Sequence, residues 1–129
     1  MHGLTVELQA AQNYNSSILP NPLKERHKKM ILELVDILIH PSQRAAFDEA
    51  IKRAVEIVIS KAKGFQGYKV KKGIESPERY ILQILWATLE NHTVDFRQSP
   101  AFTEWRAIVG PFFAAPPAVE HFNLLAKSA

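Results

Sequence analysis

The sequence predicts an α+β domain with element order β-α-β-β-α-β, and three observations carry that prediction. Residues 31–39 and 80–86 are runs of strand length with apolar residues on both alternating faces. The stretches after Pro41 and after Ser99 repeat apolar residues at three- and four-residue steps, as helices with one buried stripe do. Proline, glycine and serine separate the segments. A chain of 129 residues with 47% apolar residues suits one core, so residues 30–129 are expected to form one domain behind an N-terminal arm, residues 1–29.

The arm is rich in Asn, Ser, Gln and Pro and ends in Leu19-Pro20-Asn21-Pro22 and the run Lys24-Glu25-Arg26-His27-Lys28-Lys29. A short amphipathic element over Leu4–Gln12 is its one candidate for regular structure. The first strand is Ile31–Ile39, apolar on both faces and therefore central. Pro41 suits the first turn of the helix that follows, where its missing N–H has no partner to lose. Phe47, Ala50, Ile51, Ala54, Val55 and Val58 form that helix's buried stripe, and Gly64 supplies a left-handed stop. Tyr68–Lys72 carries the lysines of an edge strand, and Tyr80–Trp86 is a second central strand. Thr88 caps a short helix whose Leu89, His92 and Phe96 share one side. Ser99-Pro100 opens the second long helix as cap and first-turn proline, and Gly110-Pro111 is expected to kink or end it. Val119–Leu125 is the last strand.

This order packs as an antiparallel sheet with helices on one face, the ferredoxin-like layout. Helices cover only one face of the central strands, yet both faces are apolar. The second face is therefore expected to meet the sheet of a partner subunit, giving a homodimer that closes a dimeric α/β barrel with an apolar pocket between sheet and helices.

Composition removes several functions. With no cysteine there is no disulfide, cysteine-ligated zinc, iron–sulfur cluster or thiol nucleophile. The five histidines, at 2, 27, 40, 92 and 121, show no HxH or HExxH spacing, so no metal site is expected. The net charge of +3 and pI near 9.3 trace to the 24–29 run, which has no aromatic ring other than His27. No nucleic-acid partner is expected. The N-terminus has Glu7 early and neither a basic nor a continuous apolar region, and no stretch reaches the roughly 18 apolar residues of a span, so a cytoplasmic protein with no membrane partner is expected.

Several motifs carry a family resemblance. They are Trp86-Ala87-Thr88-Leu89-Glu90-Asn91-His92, Phe96-Arg97-Gln98-Ser99-Pro100-Ala101-Phe102, Ala115-Pro116-Pro117-Ala118-Val119-Glu120-His121 and Gly64-Phe65-Gln66-Gly67-Tyr68. Together, over residues 30 to 126, they resemble the antibiotic biosynthesis monooxygenase (ABM) family. The resemblance implies homodimeric α/β barrels and, in some members, oxidation of aromatic polyketides or quinol-like substrates by O2 without metal, flavin or haem. Other members degrade haem with a ligating histidine about one turn beyond position 92, where this chain has Asp95 and Phe96. That departure counts against haem degradation.

His92 is the candidate catalytic residue, since it follows the motif tryptophan and shares its helix side with Leu89 and Phe96. A neutral imidazole there takes a proton near pH 7; the alternative is a buried histidine bonded to backbone or Thr88. Trp86 and Tyr68 are candidates to stack on and orient an aromatic substrate, against the alternative of simple core aromatics. His121, which projects from the last strand beside Val119 and Asn123, is a further substrate-binding candidate or a structural histidine near the dimer seam. Glu33 and Asp36 are an odd number of residues apart and point to opposite faces, so one of them faces the pocket. Asp36 is counted among the substrate-binding candidates, with pairing to Arg44, Arg79 or a neighbouring lysine as the alternative. Phe102, Trp105, Phe112 and Phe113 are expected to pack helices and stay outside the site.

The activity the resemblance implies, with these residues as its candidates, is a cofactor-independent monooxygenase acting with O2 on a hydrophobic aromatic, polyketide or quinol-type small molecule. A non-oxidative binding protein or cyclase on the same barrel is the alternative. An interaction or stress-response protein with a vestigial pocket is a third.

Overall fold

The computed structural model describes residues 30–129. The arm and its Leu4–Gln12 element lie outside the described residues. Four strands form one antiparallel sheet: β1 (Ile31–Leu38), β2 (Phe65–Lys72), β3 (Arg79–Trp86) and β4 (Ala118–Asn123), in the order β2-β3-β1-β4. The two-faced runs are indeed the central strands, and the lysine-bearing strand is at an edge. Helix α1 (Arg44–Ile57) and helix α2 (Pro100–Val109) follow β1 and β3. This is the α+β ferredoxin-like architecture.

Alternation along the strands decides where the core sits. On one face β1 presents Glu33, Val35 and Ile37, and β3 presents Tyr80, Leu82, Ile84 and Trp86, all buried beneath the helices. Phe47, Ile51, Ala54 and Val55 of α1 and Val109 of α2 complete that core. The ring of Phe47 lies edge-on to Tyr80 at 4.7 Å and to Phe112 at 5.4 Å. Burying each such side chain contributes about 1.5–3 kcal/mol, so this face holds the domain together. The other face is open in the single chain: Leu38 and Phe122 are 46% and 43% exposed, and Leu32 lies half-buried between Leu85 and Phe122.

Several boundaries differ from the sequence expectation. Pro41 and Ser42 form a turn with Ser42 in the left-handed region (φ 67°), and α1 starts two residues later, with the Phe47 N–H donating to the Gln43 carbonyl at 2.8 Å. At its other end α1 tightens after Ile57 into a 3₁₀ turn, Ile59–Lys61, which turns the buried Ile59 onto the core. Gly64 (φ 85°) then serves the turn into β2 instead of stopping the helix directly. Ser99 stands at the α2 cap position, but its hydroxyl donates back to the Phe96 carbonyl at 2.7 Å. The last strand is shorter than expected and ends at Asn123.

Candidate functional site

Sheet register brings the site together. Glu33 is opposite Ile84 on one neighbouring strand and opposite His121 on the other, while Ile84 is opposite Tyr68. Directly opposed residues share a face, so Tyr68, Ile84, Glu33 and His121 form one row beneath the helices. Trp86 lies two residues beyond Ile84 on that face.

The polypeptide leaves β3 through Thr88 into a π-helix, Asn91–Phe96. Its start is fixed by a reciprocal pair: the Asn91 N–H donates to Thr88 Oγ1 at 3.1 Å, and the Thr88 N–H donates to Asn91 Oδ1 at 3.0 Å. The Asn91 side chain seats against Gly64, where a Cβ would collide with it. Gly64 therefore serves two ends, its positive φ and this close approach. The Arg97 N–H reaches the His92 carbonyl five residues back at 3.0 Å. This wider turn is a form found often at functional sites. It directs His92 and Phe96 inward and leaves Leu89 39% exposed, contrary to the shared apolar side expected from sequence.

Inside, four side chains are linked in series. The Trp86 indole N–H donates to Glu33 Oε1 at 2.8 Å. Glu33 Oε2 lies 3.3 Å from His92 Nε2, and His92 Nδ1 lies 2.8 Å from His121 Nε2. The His92 ring stacks on Trp86 with centroids 5.5 Å apart and planes at 20°. Glu33 and His92 are 5% and 3% exposed; His121 is half-buried.

Burial disfavours charge on each member. It pushes Glu33 from 4.5 up to about 7, against the pull of the Trp86 hydrogen bond and the Arg97 charge. It pushes His92 from 6.5 down to about 4, and the positive charge of Arg97 and the proximity of His121 act the same way. His121 is lowered by burial and by Arg97. Near pH 7 His92 is thus neutral, and its contact with Glu33 is a hydrogen bond rather than an ion pair. When Glu33 holds its proton it donates to Nε2, so the His92 N–H is on Nδ1 and faces His121. When Glu33 is ionised Nε2–H donates to it, and Nδ1 accepts from His121. The tautomer of His92 is therefore coupled to the protonation of Glu33.

The series lies beside a cavity of about 1000 Å³ between the sheet and α2. Its floor is Glu33, Val35, Leu82 and Ile84; Ile59, His92, Phe96 and Arg97 form one side; Phe102, Thr103, Trp105 and Arg106 of α2 face them; and the segment from Phe113 to Pro117 with Val119 closes it. The lining is mainly apolar, with Glu33 as its one carboxyl group. No group of three or more His, Asp or Glu side chains among the described residues is arranged to hold a metal ion.

The model of one protein family, described as "Antibiotic biosynthesis monooxygenase", matches residues 30–108. The chain belongs to the antibiotic biosynthesis monooxygenase family. It is 36% identical over 94 residues to the uncharacterized protein YczJ of Bacillus subtilis (strain 168), covering 73% of this chain and 98% of that one. A solved structure from Bordetella bronchiseptica, described as a candidate antibiotic biosynthesis monooxygenase, is 41% identical with a TM-score of 0.72, over 76% of this chain and 99% of that one. A second, from Nitrosomonas europaea, shares the fold at 19% identity with a TM-score of 0.65, over 79% and 96% of the two chains.

In this ABM-family chain the candidate residues are distributed unevenly. His92 is a cavity wall. Trp86 is fully buried behind Glu33 and His92, where it positions them without being a wall, and His121 stands behind His92 at the end of the series. Tyr68 lies on the same sheet face but packs against the core away from the lining. Asp36 is on the opposite face, held by Arg79 through hydrogen bonds of 3.0 and 2.8 Å, which keep its carboxyl below the usual range. The pairing alternative describes Asp36, and the acid in the cavity is Glu33. Phe102, Trp105 and Phe113 were expected only to pack helices and instead line the cavity; Phe112 does pack on Phe47. Arg97 and Arg106, which carry no chemistry in the sequence reading, are also walls. No helix among the described residues is long and apolar enough to cross a membrane.

Proposed function

We propose that this ABM-family protein is a cofactor-independent monooxygenase that oxidises an electron-rich aromatic or quinol-type molecule with O2. The observation that carries the proposal is the hydrogen-bonded series Glu33–His92–His121 set into the wall of an otherwise apolar cavity. Both ring nitrogens of His92 are engaged within the protein, whereas the Glu33 carboxylate keeps lone pairs free beside Trp86 and His92. Glu33 is thus the group that meets the substrate, and His92 and His121 carry the proton onward. A base whose pKa is about 7 is well matched to neutral pH.

For a substrate with an activated CH2 the steps balance as follows. Glu33 takes one C–H proton, and the resulting anion gives one electron to O2. The substrate radical and superoxide combine into a C–O bond, and protonation gives the hydroperoxide. Loss of the second C–H proton and cleavage of O–O yields the ketone and water. One oxygen atom is in the product and one in water, and all four electrons come from the substrate. The apolar walls hold the radical pair and exclude water from the anion.

The internal engagement of His92, together with Asp95 and Phe96 where the haem-degrading branch has its ligand, favours this reading over haem degradation. The test is O2 uptake by metal-free protein supplied with anthrone or a hydroquinone. Stoichiometric uptake with ketone or quinone formation is expected. Saturable binding of the same compounds with no uptake above the uncatalysed rate would leave the binding or cyclase alternative in its place.

A further inference from the structure

We infer that the ligand of this cavity carries an anionic group, which Arg97 and Arg106 bind at the mouth while its aromatic body lies against Phe96 and Phe102. The inference rests on the proposed site and names the class of molecule it takes. Four observations support it. Both arginines line the cavity and are exposed. Of the other cations among the described residues, Arg79, Lys72, Lys52 and Lys63 are paired with Asp36, Asp48, Glu49 and Asp95, while Arg44, Arg53, Lys61, Lys69, Lys71 and Lys127 are not, but none of these lines the cavity. Among the described residues neither Arg97 nor Arg106 has a carboxylate within 4.0 Å. The one carboxyl of the lining, Glu33, forms an ion pair with neither, although it feels the Arg97 charge.

The backbone places Arg97, and a ring contact places Arg106. Arg97 is one π-turn after His92, its N–H bonded to the His92 carbonyl, so it stands on the side of the helix that faces the cavity. The Arg106 guanidinium lies over the Phe102 ring at 5.8 Å from its centroid, a contact that restrains a long side chain and lowers the entropy lost on binding. Two guanidiniums at the edge of an apolar cavity recognise an anion through charge-assisted, fork-shaped hydrogen bonds, while the walls take a ring. The position also suits the chemistry, since an anion there offsets the Arg97 charge that Glu33 and both histidines feel.

The test compares 2-naphthoate with 2-naphthamide, equal in shape and different in charge, by calorimetric titration of the full-length protein at pH 7.5. Naphthoate should bind about 10-fold or more tighter than the amide, as expected for hydrogen bonds to charged groups. The Arg97→Met/Arg106→Met double variant should lose that preference and keep the amide affinity. Should the double variant not fold, the native protein still decides, because the preference should shrink between 50 mM and 500 mM NaCl. Equal affinities, a preference that survives the double substitution or high salt, or no naphthoate binding at millimolar concentration overturns the inference. Neither compound is a substrate, so the outcome is independent of O2 uptake. An oxygenase for neutral molecules would consume O2 and show no carboxylate preference; an anion-binding protein that does not activate O2 would show the reverse.

Discussion

Glu33→Gln separates the stability of this fold from its proposed chemistry. Folding raises the Glu33 pKa from 4.5 to about 7. An acid whose pKa is raised on folding contributes stability that is fully present below the unfolded value and is lost as pH rises through the folded one. At about 1.4 kcal/mol per pH unit, that loss comes to about 3 kcal/mol between pH 4.5 and pH 7. Glutamine is neutral at every pH and fills the same space, its carbonyl accepting from Trp86 and its NH2 donating to His92 Nε2. His92 titrates in the opposite sense, its pKa being lowered, but to first order this is common to both proteins and drops out of their difference. Urea unfolding should therefore find the variant close to the native protein at pH 5 and about 3 kcal/mol more stable at pH 8. At pH 8, where the native carboxylate is ionised, its O2 uptake should be lower by about 10²–10⁴-fold, the usual loss when a general base is removed. A stability difference that does not change between pH 5 and pH 8, or a variant that keeps native turnover, refutes the assignment.

Turnover of the native protein should rise with pH through about 7, the Glu33 value, since the ionised carboxylate is the base. Trp86→Phe deletes the indole N–H that holds this value down, so the midpoint of kcat/KM against pH should move upward; an unmoved midpoint would place the titrating base elsewhere. His121→Phe leaves His92 Nδ1 buried and unpaired, at a cost of about 1–3 kcal/mol. Because His121 is not a cavity wall, it should lower kcat with little change in KM, and His121→Asn should restore part of the rate. The open sheet face should bury about 2,000 Å² or more against a second copy. Leu32→Arg, in the row between Leu85 and Phe122, should then convert a dimer to a monomer in light scattering, and a native protein that is already monomeric at micromolar concentration would defeat this.

The central strands were legible because Ile31–Ile39 and Tyr80–Trp86 are runs of strand length, apolar on both alternating faces. Edge lysines marked β2, and capping residues marked the start of the helical segment at Thr88. Boundaries were less legible where one backbone angle or hydrogen bond decides them. The positive φ at Ser42 delays α1, and the hydroxyl of Ser99 turns back to Phe96. The π-helix has no periodic signature of its own: Leu89, His92 and Phe96 fit an ordinary helical stripe, yet bonding five residues back directs the last two inward and leaves Leu89 out.

The site was half legible for a related reason. Alternation established that Glu33 and Asp36 point opposite ways, but choosing between them requires knowing which face of β1 the helices cover. That is a property of the assembled layers, and no residue within β1 states it. The decisive clue belongs to two strands jointly: Trp86 needs an acceptor for its buried N–H, and Glu33 lies on the same face within its reach. The result also bears on whether the cavity is vestigial. A core selected for stability alone would place a neutral side chain at position 33, since an acid there destabilises the fold above pH 5 where a glutamine would not. A carboxyl kept at that cost, raised to about 7 by burial against the pull of Trp86 and Arg97 and backed by two histidines, is better explained by proton transfer than by packing.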